Sequence, residues 1–466
     1  MARQLGPHEL LHVFSFLEAR DLLCAAQVNK VWNEVSRTKE LWRQLCLRRW
    51  SCKASPVVVS TQTWKQYYFC RSELEFRMES GRPQDFICKA IPGHTGQVDQ
   101  LAYISSNEYC FDGRAKSVVC TVSLDGTVRA WDLREDTELW SSSVQPAPLV
   151  NLVAYPELQL VVTVDNQGLI KVWKAENGYE LGSFRLPTYS SSMETCGDTE
   201  SPFLLAACAE GDLYSLIVPQ LQVVSKVTAF PHTSVSLDCS PDQQWVCTAA
   251  QGSDLGPKVY YTRSLLYPSE DKPPIFTTLP IRLSCRACWA PAEAARLMVM
   301  HRSDFSTQLA VTTFELKAEK SRDRVNLLAQ QLVSFLLPDT MVPPQLMQGH
   351  LSQVILLASG SKLVLFTTHG LQLVAFQDHQ KPITSMWVDQ DRVITSSLDL
   401  SLRVYVWNKK SEFPVLESCY HLLGGSHRWA RGFTHVKSDS MSIVGVEARS
   451  TRTSILRSYY YRVQLC

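Results

Sequence analysis

The sequence predicts a mainly β chain with a helical N-terminus: a small helical block, a helical linker, and then a β-propeller of seven or eight blades. Three observations predict it. Apolar residues recur at helical spacing between Pro7 and Leu45; after Gly81 the texture changes to short Val, Leu, Ile, Thr and Trp runs broken by Gly, Asp, Ser and Pro; and those runs repeat, with Trp131 and Trp173 standing 42 residues apart.

The helical block takes residues 1–49. From Pro7 to Leu17, the residues Leu10, Val13, Phe14 and Leu17 fall at i, i+3, i+4 and i+7, and Leu11 widens the stripe. Pro7 suits a first helical turn. Asp21 is expected to cap a second helix carrying Leu22, Leu23, Ala25, Ala26 and Val28. A third segment presents Val31, Trp32 and Val35, and Thr38 is expected to cap a fourth with Leu41, Trp42 and Leu45. So small a bundle hides only part of its apolar surface, so the remainder is expected to meet a partner or the rest of the chain.

Pro7-His8-Glu9-Leu10-Leu11, then Phe16-Leu17 ahead of Asp21-Leu22-Leu23, Val28 four residues before Trp32, and Leu41-Trp42-Arg43 together resemble an F-box from end to end. The resemblance implies that Pro7, Leu10, Leu11, Phe14, Leu17, Leu22, Leu23, Val28 and Trp32 contribute to the surface that binds the Skp-type adaptor of a ubiquitin ligase. One departure is Gly6, which separates Leu5 from Pro7 where the family usually has them adjacent.

Residues 50–81 hold Trp50, Trp64, Tyr67, Tyr68 and Phe69 among Arg, Lys and Glu, which reads as a helical spacer. Bases interleaved with aromatics also mark single-stranded nucleic-acid platforms. Amphipathic packing accounts for the same residues, and no nucleic-acid partner is expected.

Residues 82–466 form the propeller. Ser123-Leu124-Asp125-Gly126 and Asp165-Asn166-Gln167-Gly168 each place a glycine five residues before a tryptophan; Gly211 follows Gly168 by 43 residues, and Asp399 and Tyr405 repeat the placing of Asp125 and Trp131, with His379 preceding as His94 does. Degenerate units lie around Cys239–Trp245, Arg296–Met300 and Ile355–Phe366. Phe86–Ile91 is placed to complete the last blade and close the ring. Gly93-His94 with Ser123, Asp125 and Trp131 resembles the structural hydrogen-bonded set of WD repeats. No G-x-S-x-G elbow surrounds this serine, so the trio of His, Ser and Asp is not read as catalytic.

The remaining composition narrows the class. With 46 Lys+Arg against 45 Asp+Glu there is no global field to gather nucleic acid or anionic membrane. The apolar run Val325–Pro338 is interrupted by Gln330 and Gln331, and the N-terminus lacks a secretory core, so no membrane association is expected. Fifteen scattered cysteines and the absence of N-x-[ST] sequons point to the cytoplasm, the nucleus or both. Cys285 and Cys288 form a C-x-x-C without a second ligand pair, and are expected to be strand residues; no metal or cofactor is expected. The absence of any Gly-Lys dipeptide excludes a P-loop.

Taken together, these segments resemble the F-box/WD-repeat proteins across the whole chain, and Thr63-Trp64-Lys65-Gln66, Lys226–Phe230 and Trp387-Val388-Asp389 look most like the group around member twelve. The resemblance implies a non-catalytic receptor subunit of an SCF-type E3 ligase, working with the Skp-type adaptor, cullin and RING subunits. Its propeller would hold a protein substrate of unread identity, phosphorylated or not. Some family members grip phosphorylated motifs with arginines, and Arg129 and Arg403, each two residues before a repeat aromatic, are the candidates. The competing readings are a WD-repeat scaffold outside any ligase and a propeller enzyme.

Overall fold

The computed structural model describes residues 5–50, 63–105, 116–197, 200–250, 253–268, 273–293, 295–303, 308–321, 324–408 and 414–462. Two compact units result, one of N-terminal helices ending at Ile87 and one of sheets that starts at Cys88 and closes at Tyr460. No helix among the described residues is long and apolar enough to cross a membrane.

The first unit contains α1 (Pro7–Phe14), α2 (Ala19–Ala25), α3 (Lys30–Ser36), α4 (Lys39–Trp50) and α5 (Trp64–Ser80). Pro7 occupies the first turn of α1, where its missing N–H costs nothing. α2 begins three residues earlier than its sequence signals: Glu18 is the N-cap without a side-chain bond, and Asp21 lies inside the first turn, where its charge favours the positive end of the helix. Asn29 caps α3 by accepting from Trp32 N–H at 2.9 Å. Thr38 stands just before α4, but its hydroxyl donates back to the Val35 carbonyl at 2.6 Å.

Leu10, Phe14, Leu22, Ala25, Val35, Leu41, Trp42 and Leu45 form the core, and Trp64, Tyr68 and Phe69 of α5 pack against it. The expected spacer is therefore part of the bundle. Trp42 lies 5.6 Å from Tyr68 and 5.4 Å from Phe69 by ring centroids, and Trp50 lies 5.1 Å from Tyr68. The neighbouring base Arg49 of α4 is engaged in the same packing: it pairs with Glu75 at 2.7 Å and stacks over Tyr68, while the Trp50 indole donates to Glu75. α5 opens on a capping box in which Thr63 and Gln66 satisfy each other's backbone N–H, and it ends at Gly81 in the left-handed region.

The second unit is an eight-bladed propeller, each blade a four-stranded antiparallel sheet, which decides between the seven and eight left open by the spacing. We number the blades along the chain and letter their strands a to d from the centre outwards. The a strands, beginning at Val98, Leu149, Ser190, Val235, Ser284, Leu346, Ile383 and Ala430, touch one another in a closed ring. Their inner edges line a central channel. Hydrophobic cores lie between neighbouring blades: Val162, Val164 and Ile170 of blade two, for example, pack with Leu204, Ala206 and Tyr214 of blade three. The degenerate segments fill blades four, five and six, and Cys285 and Cys288 lie on strand a of blade five. Phe86–Ile91 supplies strand d of blade eight beside Ser454–Tyr461, so first and last segments share a sheet and the ring has no open end.

Candidate functional site

Two surfaces carry the residues singled out by the sequence. On the helical unit, Leu10, Phe14 and Leu22 are buried in the bundle's own core, which corrects their expected place on the adaptor surface. The reason is geometric: Leu10 and Phe14 stand one turn apart on the α1 face that meets α3, and the Phe14 ring lies edge-on to Trp32 at 5.3 Å. Leu11, Leu17, Leu23 and Trp32 are half-buried, while Pro7 is exposed and Val28 is 58% exposed. Sequence reasoning named Val28 but missed other apolar residues open to a partner: Leu5, Val13, Val31 and above all Phe16, at 72% exposure.

Sequence reasoning also missed His8-Glu9-Leu10-Leu11-His12 in α1, the His-Glu-x-x-His spacing of zinc hydrolases. His12 lies edge-on to Phe16 at 5.3 Å. Among the described residues no group of three or more His, Cys, Asp or Glu side chains is placed to hold a metal ion.

On the propeller, strands alternate in direction, so the b–c turns and the d–a connections emerge at one rim. His94 reaches this rim on a d–a connection and Asp125 on the b–c turn of blade one, where they meet at 2.9 Å. The carboxylate accepts from Nδ1, while Nε2 lies 2.8 Å from the Thr121 hydroxyl; the same hydroxyl oxygen accepts from the Trp131 indole at 2.8 Å. Thr121 is the hinge of this set. Ser123, expected there, lies two residues further along the strand, and its hydroxyl accepts from Asp125 N–H at 3.2 Å, shaping the turn. Thr127 joins as well, donating to Asp125 at 2.6 Å.

Two glycines make room for this set. A Cβ on Gly93 would lie 2.1 Å from the Trp131 ring, and Gly126 turns the chain at φ +76°. Burial alone would push the Asp125 carboxyl up, but hydrogen bonds from His94 and Thr127 outweigh it and hold it well below the ordinary range. Blade seven repeats the design with His379, Thr395, Asp399 and Ser401: His379 meets Asp399 at 3.0 Å and Thr395 at 2.8 Å, and Tyr405 bonds Thr395 in the tryptophan's place. Every group in these sets has an internal partner, so they build the turn rather than offering a reactive atom.

Arg129 and Arg403 are not brought together, because each sits on strand c of its own blade, one and seven, with blade eight between. Arg129 is neutralised by Glu138 at 2.9 Å, as Lys171 is by Glu180 at 2.7 Å in blade two. Arg403 is half-buried, and its Nε lacks a hydrogen-bond partner.

The central channel holds charges the sequence did not reveal. Glu194 on blade three, Asp238 on blade four and Lys437 on blade eight all stand on a strands. Burial pushes the Asp238 carboxyl up to about 8, with the Glu194 charge adding, and pushes Glu194 up to about 7 against the pull of Lys437. Blades three and eight are not neighbours, so Glu194 and Lys437 act on each other across the bore. Lys437 also lies 5.2 Å from the centre of the Trp387 ring.

Comparison with known proteins agrees with both halves. The F-box-like family pattern matches residues 7–48, and the WD domain, G-beta repeat pattern matches residues 86–132. The chain is 36% identical to human F-box/WD repeat-containing protein 12 over 453 residues, covering 97% of each. The chain belongs to the F-box/WD repeat-containing proteins. Mouse F-box/WD repeat-containing protein 15 is 32% identical, with 98% of this chain and 99% of that one covered. Among solved structures, the computationally designed Ika8 protein matches 80% of this F-box/WD chain and 98% of its own with a TM-score of 0.58 at 15% identity. The Dos1 propeller matches 80% and 94% with a TM-score of 0.55 at 11% identity. These two likenesses concern the propeller fold alone.

Proposed function

We propose that this chain is the substrate-receptor subunit of an SCF-type cullin-RING ubiquitin ligase, its helical unit binding the Skp-type adaptor and its propeller holding the protein to be modified. The observation that carries the reading is the row of exposed apolar side chains, Leu5, Val13, Phe16, Val28 and Val31, on a bundle that matches the F-box. Such residues remain in water unless another chain covers them.

The propeller's role in this reading is positional. A rigid ring presents a cargo, and the cullin and RING subunits with their charged enzyme supply the transfer, so the receptor acts through proximity and orientation. Cytosol or nucleus is the compartment this implies, and the free cysteines, many of them in blade cores, are suited to a reducing one.

The test is co-purification of the full chain with a Skp-type adaptor, alone and with cullin and RING subunits. Wild type is expected to capture the adaptor, and Phe16→Glu with Val31→Glu to lose it while the propeller stays folded. Capture by the doubly charged variant at wild-type level would defeat the assignment.

A further inference from the structure

Blade five departs from the other blades at its outer edge. Its strand d, Arg324–Leu336, is 13 residues long, where the other outer strands run from three to nine. Most of those carry a charge, among them Lys89, Glu138, Glu180, Lys226 and Glu417, whereas nothing between Val325 and Leu336 is charged. Short length and charge are how an outer strand is kept from pairing with another chain. Strand d of blade five has neither protection. It is the last strand of its sheet, and among the described residues no backbone group pairs along its outer side.

The extra length is not needed to complete the blade. Strand b, Arg296–Arg302, pairs only with Leu309–Glu315 of strand c, so Leu316–Ser321 and their partners Arg324–Ala329 run on as a two-stranded tongue. A hairpin of this size is marginal in water unless one face is covered. One face is: Leu316, Leu327 and Ala329 pack with Trp245, Val259 and Leu279 of blade four. On the opposite face Asn326, Leu328 and Gln330 are exposed, Leu328 by 47%. The tongue is thus secured on one side and open along its outer edge.

From Val325 to Gln331 the ladder with strand c is regular, and Leu332 is the extra residue of a bulge. The regular stretch is uncharged, free of Pro and Gly, and centred on Leu328. An edge strand turns the N–H and C=O of alternate residues outwards. Two identical edges therefore pair antiparallel only about an axis that sets one residue against its own copy. With Leu328 on that axis, Leu328 meets Leu328, and Asn326 of each copy meets Gln330 of the other. Apolar lies against apolar and amide against amide, with no like charges opposed. The charges of that face stand one strand inwards, on strand c: Glu319, and Lys317 paired with Glu315 at 3.2 Å. Across a joined sheet the two c strands lie three strand spacings apart, about 14 Å, farther than the roughly 8 Å Debye length of physiological salt.

We propose that a second copy of this chain occupies this edge: strand d of blade five pairs antiparallel with its own copy about Leu328, joining two propellers through one sheet. The seam is isologous, so it closes at two copies and does not propagate. Self-pairing is favoured over capture of a foreign strand because one window supplies both halves, each exposed side chain meeting its own kind. A single strand edge falls short of the roughly 1,200–2,000 Å² of a standard interface, so the pair comes apart on dilution. The joint lies wholly in the propeller unit and does not rest on the ligase reading.

The test is the mass of the full chain in solution, by sedimentation velocity across a dilution series, with the unfolding midpoint of each variant as the check on fold. Wild type passes from dimer to monomer on dilution. Leu328→Glu sets two carboxylates against each other on the axis and raises the dimer dissociation constant at least about tenfold. Its midpoint stays at that of wild type, because residue 328 is exposed and faces Lys317 of its own strand c. The register has its own test under mild oxidation with oxidised glutathione. Leu328→Cys cross-links to itself beyond the wild-type background, while Asn326→Cys and Gln330→Cys cross-link better mixed than alone, as facing cross-strand positions require. A wild type that stays monomeric at every concentration, even one that captures an uncharged β-strand peptide, would overturn the proposal. So would a dimer that Leu328→Glu leaves unchanged, or Leu328→Cys cross-linking no better than wild type.

Discussion

The Trp131 indole donates to the Thr121 hydroxyl at 2.8 Å, and Trp173 makes the same bond to Thr163, also at 2.8 Å. In both blades the threonine stands ten residues before the tryptophan, and in blade seven Thr395 stands ten before Tyr405. The difference is what else the hydroxyl holds: Thr121 also serves His94, and Thr163 has no such histidine in its set. Thr121→Val should therefore destabilise the propeller more than Thr163→Val, because it strands two buried groups instead of one, at roughly 1–3 kcal/mol for each group left unpaired. Urea unfolding of the two variants, followed by tryptophan fluorescence, checks the order.

The carboxyls of Asp125 and Asp399 give an acid limb to stability. Both are held well below the ordinary range by their hydrogen bonds despite partial burial. A group with a depressed native pKa contributes stability that is complete above its unfolded value, near 4, and lost as pH falls towards the native one. The double variant Asp125→Asn, Asp399→Asn should be less stable than wild type at neutral pH, with the gap closing below about pH 4. Thermal unfolding across that range measures it, and a gap independent of pH would count against charge as the cause.

Much of this architecture is legible in the sequence. Gly126 and Gly168 with their tryptophans gave the blade period, His94 and Asp125 gave the turn, and Phe86–Ile91 gave the closing strand. The count of eight was not, because blades four to six hold neither the glycine nor the tryptophan in register. Thr121 was legible through its ten-residue spacing but was hidden beside Ser123, which shares its strand face two residues on. The Thr63 and Gln66 capping box was likewise readable. What no pattern shows is which of several apolar residues on a short helix face inwards, as Leu10 does, or which charges meet across a channel, as Glu194 and Lys437 do. Those depend on contacts between distant segments.

The capping box yields a local prediction. Thr63→Ala removes the acceptor for Gln66 N–H and frees the Gln66 side chain, so α5 should lose about 1 kcal/mol. Because Trp64, Tyr68 and Phe69 belong to the bundle core, the loss should appear in the unfolding of the whole helical unit. Hydrogen exchange at residues 64–69 reads it directly, and fraying of α5 without change in α1 would contradict the shared core.

The channel predicts an alkaline slope. Asp238 and Glu194 have native pKa values near 8 and 7, raised by burial, so each is protonated in the folded chain where the unfolded chain has already ionised. Their contribution is complete below about pH 4 and lost as pH rises through the native values, at up to about 1.4 kcal/mol per pH unit for each group. His350 and His435, both pushed down to about 4 by burial, act in the opposite sense, losing stability as pH falls below about 6.5. Comparing wild type with Asp238→Asn isolates the carboxyl: the variant should keep the histidine limb and lose part of the decline between pH 5 and 8. Parallel curves would show that Asp238 ionises freely into the channel water.

Leu10 lies inside α1 and Phe16 two residues past its end, and they meet opposite fates. Leu10 is sealed among Phe14, Leu22, Val35 and Trp42, so Leu10→Ala should cost about 2–5 kcal/mol and loosen the bundle. Phe16 is largely in water, so Phe16→Ala should change stability by less than about 0.5 kcal/mol. If Phe16 lies beneath the Skp-type adaptor, the order reverses in binding: Phe16→Ala should weaken capture by a stably folded bundle, while Leu10→Ala weakens it only as far as unfolding removes the binding-competent state. Measuring adaptor affinity and thermal midpoint on both variants separates the two effects. An affinity unchanged by Phe16→Ala would move the adaptor to another face of the helical unit.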